Sequence, residues 1–171
     1  MKQLFLVRHA KSAHDDSHQP DILRTLNERG LKDAPMMAQR FATQFKSPDA
    51  WFSSPAVRAM ETAKFFGKAF PLPKGSLRDK PFDDIVIAPA LYSFEQRQVI
   101  TLIESCDNEF SSAIYFFHNP TITEVIQHYT DDYPEVPTCA VVMIEFNVDS
   151  WQHLSGNAGT LKHFDYPKKH V

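Results

Sequence analysis

Short apolar runs alternate with longer segments of helical periodicity along residues 3–129 of the chain. Apolar runs bounded by polar or turn-forming residues are typical of buried strands, and we expect strands over residues 3–7, 50–52, 85–87 and 113–117. The segments between and after them space their apolar residues three and four positions apart, which predicts helices over residues 28–47, 55–68, 94–105 and 121–129. Asn27 is a suitable cap for the first helix, and Ser54 followed by Pro55 suits the start of the second.

The pattern changes in the last quarter of the chain. Residues 139–146 and 150–154 predict two strands around a turn at 147–149, and a final strand is expected near residues 160–164. Strands that alternate with helices and are followed by a β meander predict an α/β domain of three layers (α/β/α), with a mainly parallel sheet and an antiparallel edge. Because no repeat or linker interrupts the sequence, we expect a single domain over residues 1–171.

Basic and imidazole side chains follow three of the expected strands. Arg8 and His9 end the first strand, Arg58 lies on the helix after the second, and His118 follows the fourth. Because the carboxyl ends of parallel strands meet at one edge of a sheet, these four side chains are expected to share one pocket. Guanidinium groups suit phosphate oxygens, and a neutral imidazole can act as a nucleophile toward phosphorus. The plainer interpretation of Arg8 and His9 is an ordinary strand end with a solvent-facing arginine and a capping histidine.

Composition narrows the class of partner. The formal net charge of −3 argues against general binding to nucleic acid or to a membrane surface, because such binding usually needs a basic excess. No signal peptide is apparent, and no apolar run approaches the ~18 residues of a transmembrane helix. The two cysteines, Cys106 and Cys139, are typical of a reduced, cytoplasmic protein rather than of a disulfide framework.

Five segments together resemble the histidine phosphatase superfamily, whose fold is called phosphoglycerate mutase-like. Residues 7–12 (VRHAKS) resemble its arginine–histidine motif, residues 53–63 (SSPAVRAMETA) its second motif, and residues 117–120 (FHNP) its second histidine motif. Residues 21–30 (DILRTLNERG) and 137–140 (PTCA) are similar to the small phosphohistidine phosphatase branch, called SixA-like. Any one motif alone would be a weak signal, whereas the whole set in this order is specific.

The resemblance implies a phosphatase that uses a covalent intermediate. His9 would be the nucleophile and carry the phosphoryl group, which water would then remove. Arg8 and Arg58 would hold the phosphate oxygens, and His118 would donate a hydrogen bond to one of them. The resemblance implies no metal and no cofactor.

The sequence departs from the family pattern before the second histidine, where glycine is common and Phe117 stands here. A bulky residue at this position either restricts the approach of the backbone to phosphate or points its side chain into the layers of the fold, since neighbours on a strand alternate faces.

Four further residues are secondary candidates. Arg24 could supplement the phosphate site and Ser12 could hydrogen-bond phosphate through its hydroxyl or backbone N–H, although a surface arginine is the plainer interpretation of Arg24. Glu95 could be a proton donor, or simply a carboxylate at a helix start, where the helix dipole favours it. Glu61 lies three residues after Arg58 and is expected to orient that arginine.

The favoured function is hydrolysis of phosphohistidine in proteins. The chain is short and offers no long insertion that would form a lid over a small metabolite. The main alternative is a small-molecule phosphomonoesterase, which would need the loop over residues 70–84 to close over the site. A third alternative is a phosphate-binding module that has lost turnover. The expected partner is therefore a phosphorylated protein or a small phosphorylated compound, and the oligomeric state is left open.

Overall fold

The protein is described from a computed structural model that covers residues 1–14, 18–71 and 84–171. Strands and helices alternate through most of the chain, and two strands in succession end it. In chain order the elements are β1 (Lys2–Arg8), α1 (Glu28–Gln44), β2 (Ala50–Ser53), α2 (Val57–Lys68), β3 (Ile85–Ile87), α3 (Gln96–Glu104), β4 (Ser112–Phe117), α4 (Thr121–Thr130), β5 (Val141–Phe146) and β6 (Gly159–Asp165).

The six strands form one sheet in the order β3-β2-β4-β1-β5-β6. The pairs β2–β3, β2–β4 and β1–β4 are parallel, while β5 runs antiparallel to both β1 and β6. In the central pair, Arg8 at the end of β1 lies opposite Phe117 at the end of β4, so the two strands end at the same level. The predicted fold class, an α/β sheet with an antiparallel edge, is confirmed.

The side chains of β4 show how the sheet separates two apolar layers. Tyr115 and Phe117 point to one face, where they pack with buried residues of α3 and α4. Ile114 and Phe116 point to the other face, where they pack with buried residues of α1 and α2. This alternation follows from the two-residue period of a strand, and it explains why β4 is apolar throughout its length.

The loop after β1 is held against the start of α1 by close backbone contacts. The Asn27 side chain caps this helix by accepting a hydrogen bond from the Gly30 amide (2.9 Å), as its sequence position predicts. A Cβ atom on Gly30 would lie 2.1 Å from the Lys11 carbonyl oxygen, so only glycine allows this approach. The backbone that follows Arg8 and His9 is therefore fixed from outside the sheet.

One expected strand is absent from the structure. Residues 150–154 form a short 3₁₀ turn at Trp151–His153 instead, so the prediction of a strand there is wrong. The Trp151 side chain is fully buried, and its indole N–H donates to the Phe110 carbonyl (2.8 Å). Burial of one large anchor, rather than pairing along an edge, determines the conformation of this segment.

Three element boundaries also differ from the sequence expectation. Helix α2 begins at Val57 rather than at residue 55, because the Ser54 hydroxyl accepts the Ala56 amide (3.2 Å) before the helix starts. Helix α3 begins at Gln96, after Phe94 adopts a positive φ of 56°. Strand β5 begins at Val141, since Cys139 also has a positive φ (62°). Cys139 is held by hydrogen bonds from its amide to the Arg8 and His9 carbonyls, so local contacts override strand propensity there.

No helix in the described ranges is long and apolar enough to cross a membrane.

Candidate active site

A cavity of about 500 Å³ opens at the carboxyl ends of β1 and β4. The four principal residues predicted from the sequence line it, and so do the two secondary candidates for phosphate binding; these are Arg8, His9, Arg58, His118, Ser12 and Arg24. The rings of His9 and His118 lie 5.1 Å apart between centroids. The structure therefore brings together side chains that are up to 110 positions apart in the sequence.

His9 is held by hydrogen bonds on both its backbone and its ring. Its amide donates to the Phe117 carbonyl (3.1 Å), and the Cys139 amide contacts the carbonyl oxygens of Arg8 and His9 (3.1 Å each). The ring nitrogen Nδ1 lies 2.7 Å from the Ala10 carbonyl oxygen. Because a carbonyl can only accept, Nδ1 carries the proton, and in the neutral ring Nε2 has a free lone pair.

Several neighbours keep His9 uncharged. The pKa of His9 is lowered to about 3, and burial is the largest cause. The positive charges of Arg58 and Arg8 also lower this pKa, while the hydrogen bond to Ala10 partly opposes the shift. At neutral pH the imidazole is therefore a neutral base with an available nitrogen, which is the form required of a nucleophile.

His118 is oriented by Ser54, which follows β2. His118 Nε2 lies 2.8 Å from the Ser54 hydroxyl oxygen, and that hydroxyl already accepts the Ala56 amide. When the hydroxyl proton points at Nε2, the ring proton of neutral His118 lies on Nδ1. Nδ1 is buried and has no hydrogen-bond partner among the described residues, so in this tautomer it can act as a donor. Burial is the main cause that lowers the pKa of His118 to about 3; the positive charge of Arg58, and that of His9 when His9 is protonated, act in the same direction.

Arg58 is buried, with 3% of its surface exposed, at the first turn of α2. Its Nη1 donates to the Asp21 carbonyl (2.8 Å) and its Nη2 to the Asp21 carboxylate (3.0 Å). Thr62 connects this turn to the backbone next to His9, because its hydroxyl donates to the Arg58 carbonyl (2.7 Å) and accepts the Ala10 amide (3.0 Å). The positions of His9 and Arg58 are therefore coupled through one side chain.

Arg8 approaches the cavity from the end of β1. Its Nη1 donates to the Val136 carbonyl (2.8 Å), which fixes the guanidinium against the segment before β5. Burial lowers the pKa of Arg8, although its ordinary value is so high that the group stays charged. Arg8 and Arg58 thus place two cations beside two neutral histidines.

Asp21 is one of the lining residues that sequence reasoning missed. Its carboxylate accepts hydrogen bonds from Arg58, from Arg24 (2.9 Å) and from the Tyr92 hydroxyl (2.7 Å). Partial burial works to raise its pKa, but the hydrogen bonds from Tyr92, Arg24 and Arg58 outweigh burial and hold the pKa well below the usual range. Asp21 was visible in the sequence only as part of the 21–30 motif. Its spacing of three residues from Arg24 was the one available signal.

Arg24 and Ser12 form one unit in the wall of the cavity. The Arg24 Nη1 donates to the Ser12 hydroxyl (3.0 Å) and to the Ala13 carbonyl (3.1 Å), while its other nitrogens contact Asp21. The unit places a third guanidinium at the cavity, held on a loop rather than on a regular element.

Two carboxylates proposed from the sequence lie elsewhere. Glu95 precedes α3, is exposed, and accepts a hydrogen bond from the Gln98 side chain (2.6 Å) rather than lining the cavity. Glu61 accepts the Leu26 amide (2.9 Å), so the expectation that it orients Arg58 is wrong. The partner of Arg58 is Asp21, because the loop after β1 folds back over α2.

Phe117 does not obstruct the cavity. Its side chain is fully buried on the α3–α4 face of the sheet, and its carbonyl accepts the His9 amide. Of the two readings of this departure from the family pattern, the structure supports the one in which the ring points into the core.

Acidic solution should destabilise the ligand-free protein through these two buried histidines. The folded-state pKa of His9 and of His118 is about 3, against an ordinary value of 6.5, so below about pH 6.5 the unfolded chain binds protons that the folded protein does not. As the pH is lowered below about 6.5, the free energy of unfolding should therefore decrease by up to about 1.4 kcal/mol per pH unit for each histidine. Urea unfolding at pH 7, 6 and 5 measures this slope.

A double variant provides the control for that slope. His9→Asn combined with His118→Asn removes these two titrating groups and should reduce the slope between pH 7 and pH 5, leaving the contribution of other groups such as His163, whose pKa burial also lowers. An equal slope in the wild-type protein and in the double variant would contradict the assigned protonation states.

Comparisons with known proteins bear on the family and the fold. Residues 4–79 match the family model of the histidine phosphatase superfamily (branch 1). SixA from Agrobacterium tumefaciens is 24% identical, with a TM-score of 0.78 over 97% of this chain and 98% of that chain. The protein histidine phosphatase SixA complexed with tungstate is 21% identical, with a TM-score of 0.77 over 96% and 97%. A variant of phosphoserine phosphatase from Entamoeba histolytica, in complex with phosphoserine, is 17% identical, with a TM-score of 0.61 over 100% of both chains.

A comparison with curated protein sequences finds no match. The fold is the phosphoglycerate mutase-like fold, as the sequence motifs predict. The resemblance to the histidine phosphatase superfamily is confirmed over residues 4–79, and structures of SixA share the fold over nearly the whole chain.

Proposed function

We propose that this protein is a phosphatase that works through a phosphohistidine intermediate on His9, and that its substrate is phosphohistidine in proteins. The observation that carries the proposal is a neutral His9 ring, fixed through Nδ1 by the Ala10 carbonyl, in a cavity that also contains Arg8, Arg58 and His118. The match of residues 4–79 to the histidine phosphatase superfamily supports phosphatase activity independently.

The reaction proceeds in two displacements. The lone pair of His9 Nε2 attacks phosphorus, and the bond between phosphorus and the leaving group breaks. Water then attacks the phosphorus of phosphorylated His9, the P–Nε2 bond breaks, and inorganic phosphate leaves with His9 neutral again. Positive charge from the arginines stabilises the oxygens of the transferring group in both steps.

The phosphoryl group would bind to hydrogen-bond donors that, in the ligand-free protein, either donate to Asp21 or have no acceptor. Arg58 donates to Asp21, and a bound dianion replaces that carboxylate on the guanidinium. His118 Nδ1 is a free donor and Arg8 adds a second guanidinium. In this scheme Asp21 keeps Arg58 and Arg24 in position while the site is empty.

The leaving group is the basis for preferring phosphohistidine. Among the described residues that line the cavity, the single carboxyl group is Asp21, which its arginine and tyrosine partners keep ionised. An alkoxide leaving group needs a strong acid to protonate it, and an ionised carboxylate cannot supply that proton. The imidazole of a protonated phosphohistidine departs as a neutral molecule. The site therefore fits a phosphoramidate better than an alkyl phosphate ester.

A substrate screen tests this preference. We expect kcat/KM for a phosphohistidine-containing protein to exceed that for any of a panel of sugar phosphates and phosphoserine by at least about 10²-fold, the scale of general acid catalysis that the esters lack. The His9→Ala variant is the control for contaminating phosphatases. Equal or better turnover of the metabolites would overturn the choice of a protein substrate.

The small-molecule alternative has a specific observation in its favour, since a phosphoserine phosphatase shares the fold. It requires the loop over residues 70–84 to close over the site, and positions 72–83 of that loop lie outside the described residues. The same screen decides between the two substrates.

A further inference from the structure

Phe94 combines two features that are costly for an apolar residue. Its backbone has a φ of 56°, a left-handed conformation that is unfavourable for a bulky side chain. Its ring is 46% exposed rather than buried in the core. Strained residues of this kind persist where the surrounding structure holds them, and they cluster at functional sites.

The position of Phe94 is defined by residues of the candidate site. Its ring lines the cavity and lies 5.5 Å from the His118 ring and 5.6 Å from the Tyr92 ring, measured between centroids. Tyr92 in turn lies 5.6 Å from His118 and donates its hydroxyl proton to Asp21. We call Phe94, which lines the cavity, together with Tyr92, which contacts its ring, the aromatic wall.

The ring of Phe94 provides no hydrogen bond to a phosphoryl group. Phosphate oxygens are bound by the guanidinium groups and by the imidazole donor, whereas an apolar ring offers them nothing. A half-exposed ring that lines the same cavity can bury its face only against the rest of the substrate. That part of the substrate is the leaving group, because the phosphoryl group carries only oxygens otherwise. Aromatic rings gain most from this contact, since they stack or pack edge to face.

We propose that Phe94 is a specificity-determining residue whose ring packs against a planar aromatic ring directly bonded to the phosphoryl group. This inference rests on the proposed function and deepens it, because it assigns the recognition of the substrate imidazole to a named side chain. Aromatic pairs contribute an amount that corresponds to roughly 3- to 10-fold in affinity beyond simple burial. Substrates with aliphatic leaving groups gain little from the same wall.

A binding experiment tests the ring preference without requiring turnover. Phenylphosphonate and methylphosphonate carry the same kind of anionic group and differ in the ring. By isothermal titration, we expect the wild-type protein to bind phenylphosphonate about 10-fold more tightly than methylphosphonate. Phe94→Leu, which keeps an apolar side chain without a ring, should remove most of that difference, and Phe94→Tyr should restore it.

Kinetics separate the specificity role from a structural one. With phosphoimidazole and phosphoramidate, both of which have a P–N bond, Phe94→Leu should lower kcat/KM about 10-fold for the first and less than about 2-fold for the second. The control is Leu31→Ala, which changes an equally exposed apolar residue on α1 and should alter neither.

Two results would overturn the inference. Equal binding of the two phosphonates by the wild-type protein would show that the wall does not recognise a ring. An equal loss of affinity for both in Phe94→Leu would show that Phe94 only supports His118. Failure of the proposed function looks different: neither P–N substrate would be turned over, while the ring preference in phosphonate binding would still be measured.

Discussion

Replacing His9 with alanine is expected to reduce phosphatase turnover by on the order of 10⁴-fold or more, which is the scale of losing the nucleophile in a covalent mechanism. In the proposed mechanism the imidazole contributes the attacking nitrogen itself. Among the described residues that line the cavity, no other neutral nitrogen is held in the same position by the same hydrogen bonds. His118 is the one other histidine in that lining, and its Nε2 is engaged with Ser54.

The measurement is kcat at saturating phosphohistidine substrate, with variants that separate chemistry from folding. His153→Ala changes an exposed histidine on a 3₁₀ turn and should retain full activity. Thermal unfolding of His9→Ala at pH 7 should still show a single cooperative transition, and it measures how much stability is lost with the buried ring and its hydrogen bond to Ala10. Activity above a few per cent of wild type in His9→Ala would contradict the nucleophile assignment.

Replacing Arg58 with alanine is expected to reduce kcat/KM by ~10²-fold or more, the range typical of removing one group that stabilises charge in the transition state. Arg58 is buried at the cavity and presents Nη1 and Nη2 to one partner, as it would to two phosphate oxygens. A large share of the loss should fall on kcat, since charge on the oxygens is held most tightly while the phosphoryl group is being transferred.

Two further variants show which property of Arg58 accounts for the loss of kcat/KM. Arg58→Lys keeps the charge but not the planar fork, so its activity should fall between wild type and Arg58→Ala. Arg58→Ala also leaves Arg24 and Tyr92 as the partners of the Asp21 carboxylate, and the double variant Arg58→Ala/Asp21→Ala shows how much of the loss comes from this carboxylate at the cavity. Arg97→Ala, on the exposed side of α3, is the matched control. Normal turnover in Arg58→Ala would contradict the proposal that Arg58 binds the phosphate oxygens.

Residues at strand ends could be placed from the sequence because their positions follow from the sheet. Once β1 and β4 are recognised as parallel neighbours, Arg8, His9 and His118 must lie at one edge, whatever the loops do. Arg58 follows for the same reason, one helical turn after β2. The motifs supplied the roles of these residues, and the parallel sheet supplied their proximity.

Residues whose positions depend on loop conformation could not be placed in this way. Asp21 reaches Arg58 across 37 positions because a loop folds back, and the sequence contains no periodicity that predicts this path. Phe94 appeared to start a helix, and only its backbone conformation turns the ring to the cavity mouth. Trp151 was assigned to a strand because large apolar residues favour strands, whereas its burial selected a 3₁₀ turn.

In the proposed mechanism the His9 nitrogen takes the phosphoryl group during turnover. The most direct measurement is an alkaline quench of the wild-type protein within the first turnovers on a phosphorylated substrate, followed by mass spectrometry of its peptides. Alkaline conditions preserve a phosphorus–nitrogen bond. We expect a phosphoryl group on His9 of the wild-type protein and none in the His9→Ala protein treated identically. Phosphate release with no phosphoryl group on His9 at any quench time, or with the label on another residue, would contradict it.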